Sequence, residues 1–324
     1  MHMVKDITKF DSILEIADYF KDQETCKKHL EQLRWGNNIV CPHCSHENAY
    51  RTTVGYKCSS NKCYKKFSVV TKTIFEGTKI PLRKWFMAIF TFINNSAGIS
   101  SVTLSKELKI TQHSAWFLLH RLREIMRSAT PKKLFGTVQA DETMFGGKES
   151  NKPKSKRAKK AKGSSLIGTT KTYIIGAVQQ DGNIITTLSD SNAEDVLIPF
   201  LKDNVEEGAT IVTDAHRGYQ NLPNHNYTHI TNKHGKHKFV RVVDDVKYHT
   251  QAIEGFWSIF KGAVKGTHRY ISLKHLSKYT AEHTCRYNLR KKKPADKFIG
   301  LLGMVSNTTV KYEKMIAGKY RSQD

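Results

Sequence analysis

The sequence predicts a multidomain protein that combines α+β and α/β architecture. Four of its six cysteines fall in two close pairs, and apolar residues recur at helical spacing on both sides of them. The second half of the chain alternates strand-like with helical runs. We expect N-terminal helices with a cysteine ribbon over residues 1–75 and a helical segment over 76–130. A strand-rich domain is expected over 131–293 and a tail over 294–324.

The chain carries a large excess of positive charge. It has 53 Lys and Arg against 29 Asp and Glu, a net charge of +24 over 324 residues. Such an excess suits a polyanion, most commonly nucleic acid. No apolar signal core opens the chain and no run of about 18 apolar residues occurs, so we expect a soluble, intracellular protein without a membrane partner. Cysteines in that compartment stay reduced, which favours metal ligation over disulfides.

The cysteine pairs predict one structural Zn²⁺. Two residues separate the first pair and four separate the second, in the stretches "VCPHCSHENAYRTT" and "GYKCSSNKCYKKFSVV". Two such knuckles on hairpin turns can deliver four thiolates tetrahedrally to one ion. The predicted ligands are Cys41, Cys44, Cys58 and Cys63. His43 or His46 could replace one of them.

Helical patterns flank the ribbon. Two helices precede it, with Asp11 and Asp22 as N-caps, and a strongly apolar helix follows it. Residues 98–127 then predict two helices with a break at 109–111, where Thr111 caps the second helix. This pair is either a helix-turn-helix or a plain helical hairpin. In a helix-turn-helix, the side chains available to DNA would be Gln112, His113, Trp116 and Arg123.

Strands begin near residue 134. "LFGTVQADETMFGG" predicts a strand with Val138 and Ala140 on one face and Gln139 and Asp141 on the other. Two more strands follow, joined by an Asp-Gly turn at residues 181–182, a strong hairpin signal. A helix and a short buried strand complete an α/β sheet with helices on its faces.

The stretch "HTQAIEGFWSIFKGAVKG" places one acid, Glu254, on an apolar helix. The buried stripe comprises Ile253, Phe256, Trp257, Phe260 and Val264. Glu254 stands on the flank of that stripe, in line with Lys261. It is either part of an ordinary charged helix face or a functional carboxylate beside a well-anchored stripe.

Three acids are candidate metal ligands. Asp141 lies on a strand, Asp214 ends another, and Glu254 follows on a helix. Converging carboxylates can hold two divalent metal ions about 4 Å apart, and Mg²⁺ prefers such oxygen ligands. Glu142 could replace Asp141, although strand alternation turns it to the opposite face. Asp214 is alternatively a turn or cap residue.

The blocks "ADETMFGGK", "TDAHRGY" and "HTQAIEGFWSIFKGAVKG", in this order, resemble the catalytic blocks of DDE transposases from bacterial insertion sequences. The chain is most similar to the subgroup with an N-terminal zinc ribbon, related to the eukaryotic Merlin elements. The resemblance spans residues 25 to about 291. It implies a ribonuclease H-like catalytic domain in which Asp141, Asp214 and Glu254 form the metal-binding triad for two Mg²⁺ or Mn²⁺ ions.

The resemblance also implies an activity and partners. A transposase of this kind nicks DNA at the ends of its element, and the freed 3′-hydroxyl then attacks target DNA. The expected partner is double-stranded DNA, as terminal inverted repeats and as target. Two ends must be held at once, so a homodimer or larger oligomer on DNA is expected. The implied location is the bacterial cytoplasm, in association with the nucleoid.

Further residues are candidate DNA contacts. His216, Arg217, His249 and Lys261 lie in or beside the catalytic blocks, although a solvated turn or a helix-start histidine would explain the first three. The basic loop 148–165 is expected to grip phosphates. Its named contacts are Lys156, Arg157, Lys159 and Lys160.

Two other features compete with these assignments. Glu282 is an alternative third acid, but Arg286 lies four residues on and favours a structural ion pair. The histidines at 225, 229, 234 and 237 suggest a second zinc site, although their spacing fits no familiar pattern.

Two other functions remain open from the sequence. The chain could be a domesticated DNA-binding protein that no longer cuts, although three retained acids argue against that. It could also be a ribonuclease H-like nuclease without strand transfer, although the N-terminal DNA-reading module argues against that.

Overall fold

The computed structural model describes residues 7–127, 132–146, 172–232, 240–243 and 245–306. The chain divides into two compact units. The first is built from Met1–Ser128 and Leu289–Gly318, and the second from Ala129–Asn288 and Lys319–Asp324.

Two capped helices open the first unit. They are α1, Ile13–Tyr19, and α2, Gln23–Trp35. Ser12 and Glu15 form a reciprocal capping box at α1, so the N-cap lies one residue after the predicted Asp11. Asp22 caps α2 as predicted, because its Oδ1 accepts from the Thr25 N–H at 2.7 Å.

A three-stranded antiparallel ribbon follows. Its strands, in the order β1-β2-β3, are β1, Ala49–Thr52, β2, Gly55–Cys58, and β3, Lys66–Phe67. The rings of Tyr56 and Phe67 stack at 5.7 Å, with Trp35 edge-on to both. Gly55 has φ of 145°, and a Cβ there would lie 2.7 Å from the Phe67 carbonyl oxygen. Glycine is therefore required at the hairpin turn.

Three helices form the core of the first unit. They are α3, Leu82–Asn94, α4, Ser101–Leu108, and α5, Gln112–Arg127. Lys109 ends α4 in the left-handed region with φ of 50°. Thr111 caps α5, because its hydroxyl accepts from the Ser114 N–H at 3.2 Å. The predicted break and cap between the two helices are confirmed.

Helix α5 is more deeply buried than the sequence suggests. Arg123 is only 1% exposed, and its guanidinium lies 5.9 Å from the ring centroid of Phe92. Arg121 is also buried and donates to the Glu76 carbonyl at 2.9 Å. The structure therefore corrects the prediction that Arg123 is exposed to DNA, because this part of α5 is a core helix. Its basic side chains serve internal packing.

The second unit is centred on a five-stranded mixed sheet. Its strands are β4, Thr137–Phe145, β5, Thr172–Gln179, β6, Ile184–Ser189, β7, Thr210–Thr213, and β8, Thr228–Thr231. The order is β6-β5-β4-β7-β8; β4, β5 and β6 are antiparallel, and β7 and β8 run parallel to β4. Together with the ribbon and the helices, this sheet confirms the predicted fold class.

Helices cover both faces of this sheet. These helices are α6, Glu194–Asn204, α7, Gln251–Ala263, and α8, Leu273–Asn288. Strands β9, Val240–Val243, and β10, Val246–His249, form a separate hairpin before α7, the helix that carries Glu254. Val138 and Ala140 share a core cluster with α6, whereas Ile174 and Val178 pack with α7 and α8. The predicted alternation of β4 is confirmed: its even-numbered residues face α6 and its odd-numbered residues face α7.

The final described helix returns to the first unit. Helix α9, Pro294–Gly303, lies in the segment predicted as a C-terminal tail. Phe298 on α9 is fully buried, with its ring centroid 6.1 Å from Phe86 and 6.0 Å from Phe90 of α3. The first part of the predicted tail is therefore a core helix.

The longest helices in the described part of the chain are α5 and α8, with 16 residues each. No described helix is both long and apolar enough to cross a membrane.

Candidate active site

The four cysteine sulfurs of the ribbon form a compact cluster. All four lie within 4.8 Å of one another. The sulfurs of Cys41 and Cys63 are 3.9 Å apart, and those of Cys44 and Cys58 are 3.6 Å apart. Tetrahedral Zn²⁺ with bonds of about 2.3 Å places its sulfurs about 3.8 Å from each other. The cluster therefore fits one Zn²⁺.

Backbone groups support the sulfurs. The N–H groups of His43 and Ser60 donate to the sulfurs of Cys41 and Cys58, both at 3.4 Å. Nε2 of His46 lies 3.1 Å from a serine hydroxyl, so this ring is engaged outside the cluster. Four thiolates complete the coordination shell, which makes the site structural and leaves no open position for substrate.

Two of the predicted acids lie just beyond the end of the parallel pairing between β4 and β7. Asp141 is on β4, and Asp214 directly follows Thr213, the last residue of β7. Burial, together with the negative charges of Glu142 and Asp214, raises the pKa of Asp141 to about 7. Asp141 and Asp214 are thus close enough for electrostatic interaction, and a cation would relieve their repulsion.

The third acid lies in the first turn of α7. Glu254 is exposed, and its Oε1 accepts from the Thr250 hydroxyl at 2.6 Å. Ile253, Phe256, Trp257 and Phe260 are buried in the stripe beside it. The predicted stripe therefore anchors α7 while Glu254 stays accessible. The hydroxyl of Thr250 holds its carboxylate close to the start of the helix.

Two side-chain contacts tie α7 to β4, and sequence reasoning missed both. The Trp257 indole N–H donates to Asp141 Oδ2 at 3.0 Å. The buried Gln139 side chain accepts from the backbone N–H groups of Ala252 at 2.9 Å and Ile253 at 3.3 Å. Gln139 thus satisfies the free donors at the start of α7. Its only signal in the sequence is the shared strand face with Asp141.

The carboxylate oxygens of the three acids do not all lie within 4.8 Å of one another. In the described part of the chain, two sets of ligand atoms meet within 4.8 Å of one another: the four cysteines and a second group, His268, Glu282 and His283. Three carboxylates repel one another, and a pair of ions about 4 Å apart needs ligands spread around both. Carboxylate oxygens are the donors that Mg²⁺ prefers. The three side chains are therefore donors of the type that a divalent cation binds.

Glu282, the alternative third acid, is paired with an arginine. It is fully buried, and its Oε1 accepts from Arg286 Nη2 at 2.7 Å and Nε at 3.2 Å. The predicted ion pair is confirmed. A buried, paired carboxylate of this kind supports the helix, and loss of one partner would leave the other charge uncompensated.

Glu142 supports the loop that carries Asp214. Its two oxygens accept from the Asn192 amide at 2.9 Å and the Tyr219 hydroxyl at 2.8 Å. His216 lies in the same loop; its Nδ1 is 3.6 Å from Glu142 Oε1, and its backbone N–H donates to Asp214 Oδ1 at 2.9 Å. Glu142 therefore faces the α6 side, as alternation predicts, and acts on Asp214 through the loop.

The predicted DNA contacts differ in accessibility. Arg217 and Lys261 are exposed, whereas His249 is half-buried with Nδ1 3.4 Å from Gln139 Nε2. Gln112 and His113 are exposed at the start of α5. Lys156, Arg157, Lys159 and Lys160 lie outside the described residues, as do His234 and His237.

Two segments of the chain match known families. Residues 133–288 match the ISXO2-like transposase domain. Residues 21–66 match the transposase zinc-ribbon domain. The chain therefore carries a transposase zinc ribbon followed by an ISXO2-like transposase domain, and that domain contains the three candidate acids.

Two individual proteins are also similar. The chain is 26% identical over 213 residues to an uncharacterized protein in transposable element ISH50 of Halobacterium salinarum, a match that covers 63% of this chain and 71% of the relative. A crystal structure of a pre-cleavage Mos1 transpososome is similar at 12% identity with a TM-score of 0.26, over 99% of this chain and 100% of that one.

Proposed function

We propose that this transposase binds the ends of an insertion sequence, hydrolyses phosphodiester bonds there with two metal ions, and transfers the 3′-hydroxyl ends to target DNA. One observation carries the proposal. Asp141 on β4 and Asp214 after β7 each come two residues after the last parallel pair of these strands, Gln139 with Val212. Glu254 stands accessible on a helix that is hydrogen-bonded to β4.

In this proposal, Asp141, Asp214 and Glu254 hold two Mg²⁺ or Mn²⁺ ions. The ions would activate the attacking water or hydroxyl and stabilise the leaving oxygen. The protein's own contribution is to orient the ligands. The Trp257 indole orients Asp141, the Thr250 hydroxyl orients Glu254, and the loop N–H at residue 216 orients Asp214.

The exposed basic side chains near the acids would position the phosphate backbone. Lys261 lies two helical turns beyond Glu254 on the same flank of α7, and Arg217 follows Asp214 by three residues. His249 would serve chiefly as part of the helix start, because it contacts Gln139. His216 would act mainly through Asp214, although its ring is partly exposed.

The first unit would contribute DNA recognition. One structural Zn²⁺ would hold the ribbon, and Gln112 and His113 would contact DNA from the exposed start of α5. The basic loop at 148–165 would add phosphate contacts. Binding of two element ends would require a homodimer or larger assembly on DNA. We assign the catalytic domain to residues 131–293.

The proposal is tested by cleavage of labelled DNA that carries the ends of the element, in Mg²⁺ or Mn²⁺. We expect the wild type to nick and join, whereas Glu254→Gln and Asp141→Asn bind DNA but cut at least about 100-fold more slowly, since they remove ligands themselves. Asp203→Asn, which neutralises an exposed acid on α6, is the matched control and should cut normally.

Other outcomes would favour other functions. DNA binding without cleavage by the wild type would support a domesticated DNA-binding protein. Cleavage without joining would support a nuclease. Wild-type cleavage by Glu254→Gln would remove Glu254 from the triad.

A further inference from the structure

A hydrogen bond connects strand β4, which carries Asp141, to helix α7, which carries Glu254. Trp257 is 4% exposed, and its indole N–H points to Asp141 Oδ2 at 3.0 Å. An indole nitrogen can only donate, so this contact favours one orientation of the carboxylate and favours its charged form. The ring is large and buried, which limits its own movement. The carboxylate is thereby held by a nearly immobile donor.

The sheet has space for this indole only because residue 176 is glycine. Gly176 of β5 is directly opposite Asp141 of β4 in the antiparallel register. A Cβ at Gly176 would lie 2.9 Å from Trp257 Cζ2, 3.0 Å from its Cη2 and 3.0 Å from the Ile253 side chain. Real Cβ contacts are not this short, so any other residue would push the indole away from the sheet.

A second contact fixes the same helix one turn earlier. Gln139 is 2% exposed and lies two residues before Asp141 on the same face of β4. Its side-chain oxygen accepts from two backbone N–H groups at the start of α7, those of residues 252 and 253. Glu254 follows immediately. The helix is therefore bound to the strand of Asp141 on both sides of Glu254, at its start and at Trp257.

We propose that Trp257 is a positioning residue for the Asp141 carboxylate, seated by the absence of a side chain at Gly176. This inference rests on the proposed function, in which Asp141 binds metal. Trp257 does not touch DNA or metal; it orients the carboxylate that does. Loss of such a supporting hydrogen bond typically weakens metal affinity about 10–100-fold.

The test compares Mn²⁺ binding by Trp257→Phe and wild type, measured by electron paramagnetic resonance without DNA. Phenylalanine keeps a ring against Gly176 but lacks the N–H. We expect a dissociation constant about 10–100-fold higher and cleavage that recovers at high metal concentration. The matched control is Trp85→Phe, which removes another buried indole hydrogen bond, to Thr78 in the first unit, and should bind Mn²⁺ normally.

The possible failures are distinguishable. Wild-type Mn²⁺ affinity in Trp257→Phe would overturn the positioning role. Wild-type affinity in Asp141→Asn would instead overturn the proposed metal site itself. If Trp257→Phe fails to fold, nuclear magnetic resonance of the four indole N–H groups in the folded protein decides. The Trp257 signal should shift when Asp141 becomes Asn, and an unmoved signal would refute the contact.

Discussion

Asp141 occupies an unfavourable position for a charge in the metal-free protein. It is largely buried, with Glu142 next to it and Asp214 nearby, and its pKa is raised to about 7. The indole of Trp257 compensates only in part, because one hydrogen bond offsets only part of the desolvation of a charged group. A divalent cation would supply the missing positive charge. Asp141 is therefore better suited to bind a metal ion than to stabilise the metal-free protein.

We predict that metal binding depends on pH through Asp141. Because metal must displace its proton, the apparent affinity for Mn²⁺ should rise by up to about tenfold per pH unit from 5.5 to 7 and level off above 8. Titration with Mn²⁺ at a series of pH values measures this. A flat profile across pH 5.5 to 7.5 would contradict the raised pKa.

The same shift predicts a stability effect in the metal-free protein. The folded pKa of Asp141 lies above its ordinary value of 3.8, so the native state binds more protons than the unfolded state between these values. The free energy of unfolding should therefore fall as pH rises from about 4 to 7. Asp141→Asn should remove this part of the slope in denaturant titrations across that range. An unchanged slope would assign the effect to other groups.

At the scale of elements, strand β4 and helix α7 were predictable because their patterns are local. Alternation placed Asp141 and Gln139 on one face, and helical spacing separated Glu254 from its buried stripe. The Gln139 contact was not predictable, because it joins residues 113 positions apart. The prediction for Arg123 is wrong because its charge predicts exposure, whereas α5 is a core helix that buries this side chain over Phe92.

Three short strands of the second unit and helix α9 of the first unit are not predicted from the sequence, for a related reason. Strands β8, β9 and β10 have four residues each, too few for a periodic pattern to stand out. Helix α9 follows a run of basic residues, which resembled the start of a solvated tail. In each case, the structure depends on pairing with or burial by residues distant in the sequence, and the local sequence pattern does not indicate these contacts.

We predict that Gly176→Ala destabilises the second unit. The added methyl group would lie about 3 Å from Trp257, and overpacking of this kind costs about 1–3 kcal/mol. The melting temperature and the cleavage rate should both fall. Gly300→Ala in α9 is the control, because a Cβ there meets nothing within 4 Å and alanine favours helix. Equal melting temperatures for the two variants would contradict the close approach of α7 to the sheet.

We predict that the ribbon needs its metal to fold. Zinc content should be about one ion per chain. Cys44→Ser should abolish stoichiometric zinc retention, because the remaining three thiolates leave the shell open. Cys26→Ala, a buried cysteine outside the cluster, should retain zinc. The check is metal analysis after dialysis against a weak chelator. Full zinc in Cys44→Ser would show that another group completes the site.

At the scale of the whole molecule, the net charge of +24 dominates expected binding to DNA. Affinity should fall linearly with salt on logarithmic axes, with a slope that counts the phosphates contacted. Alanine at Lys156, Arg157, Lys159 and Lys160 together should reduce the magnitude of that slope by up to about 0.9 per lost contact. Fluorescence anisotropy at several salt concentrations measures the slope. An unchanged slope would show that this loop does not contact phosphates.

The path of the chain through the two units has a consequence for its synthesis on the ribosome. All described residues of the second unit fall within residues 129–288, whereas the first unit needs both the early residues and helix α9 near the end. Domains generally fold as units while the chain emerges. The first unit cannot bury Phe298 against α3 until the whole second unit has been translated. The unit whose synthesis begins first is thus completed last. The apolar surface of α3 therefore stays exposed in the nascent chain until α9 has been made.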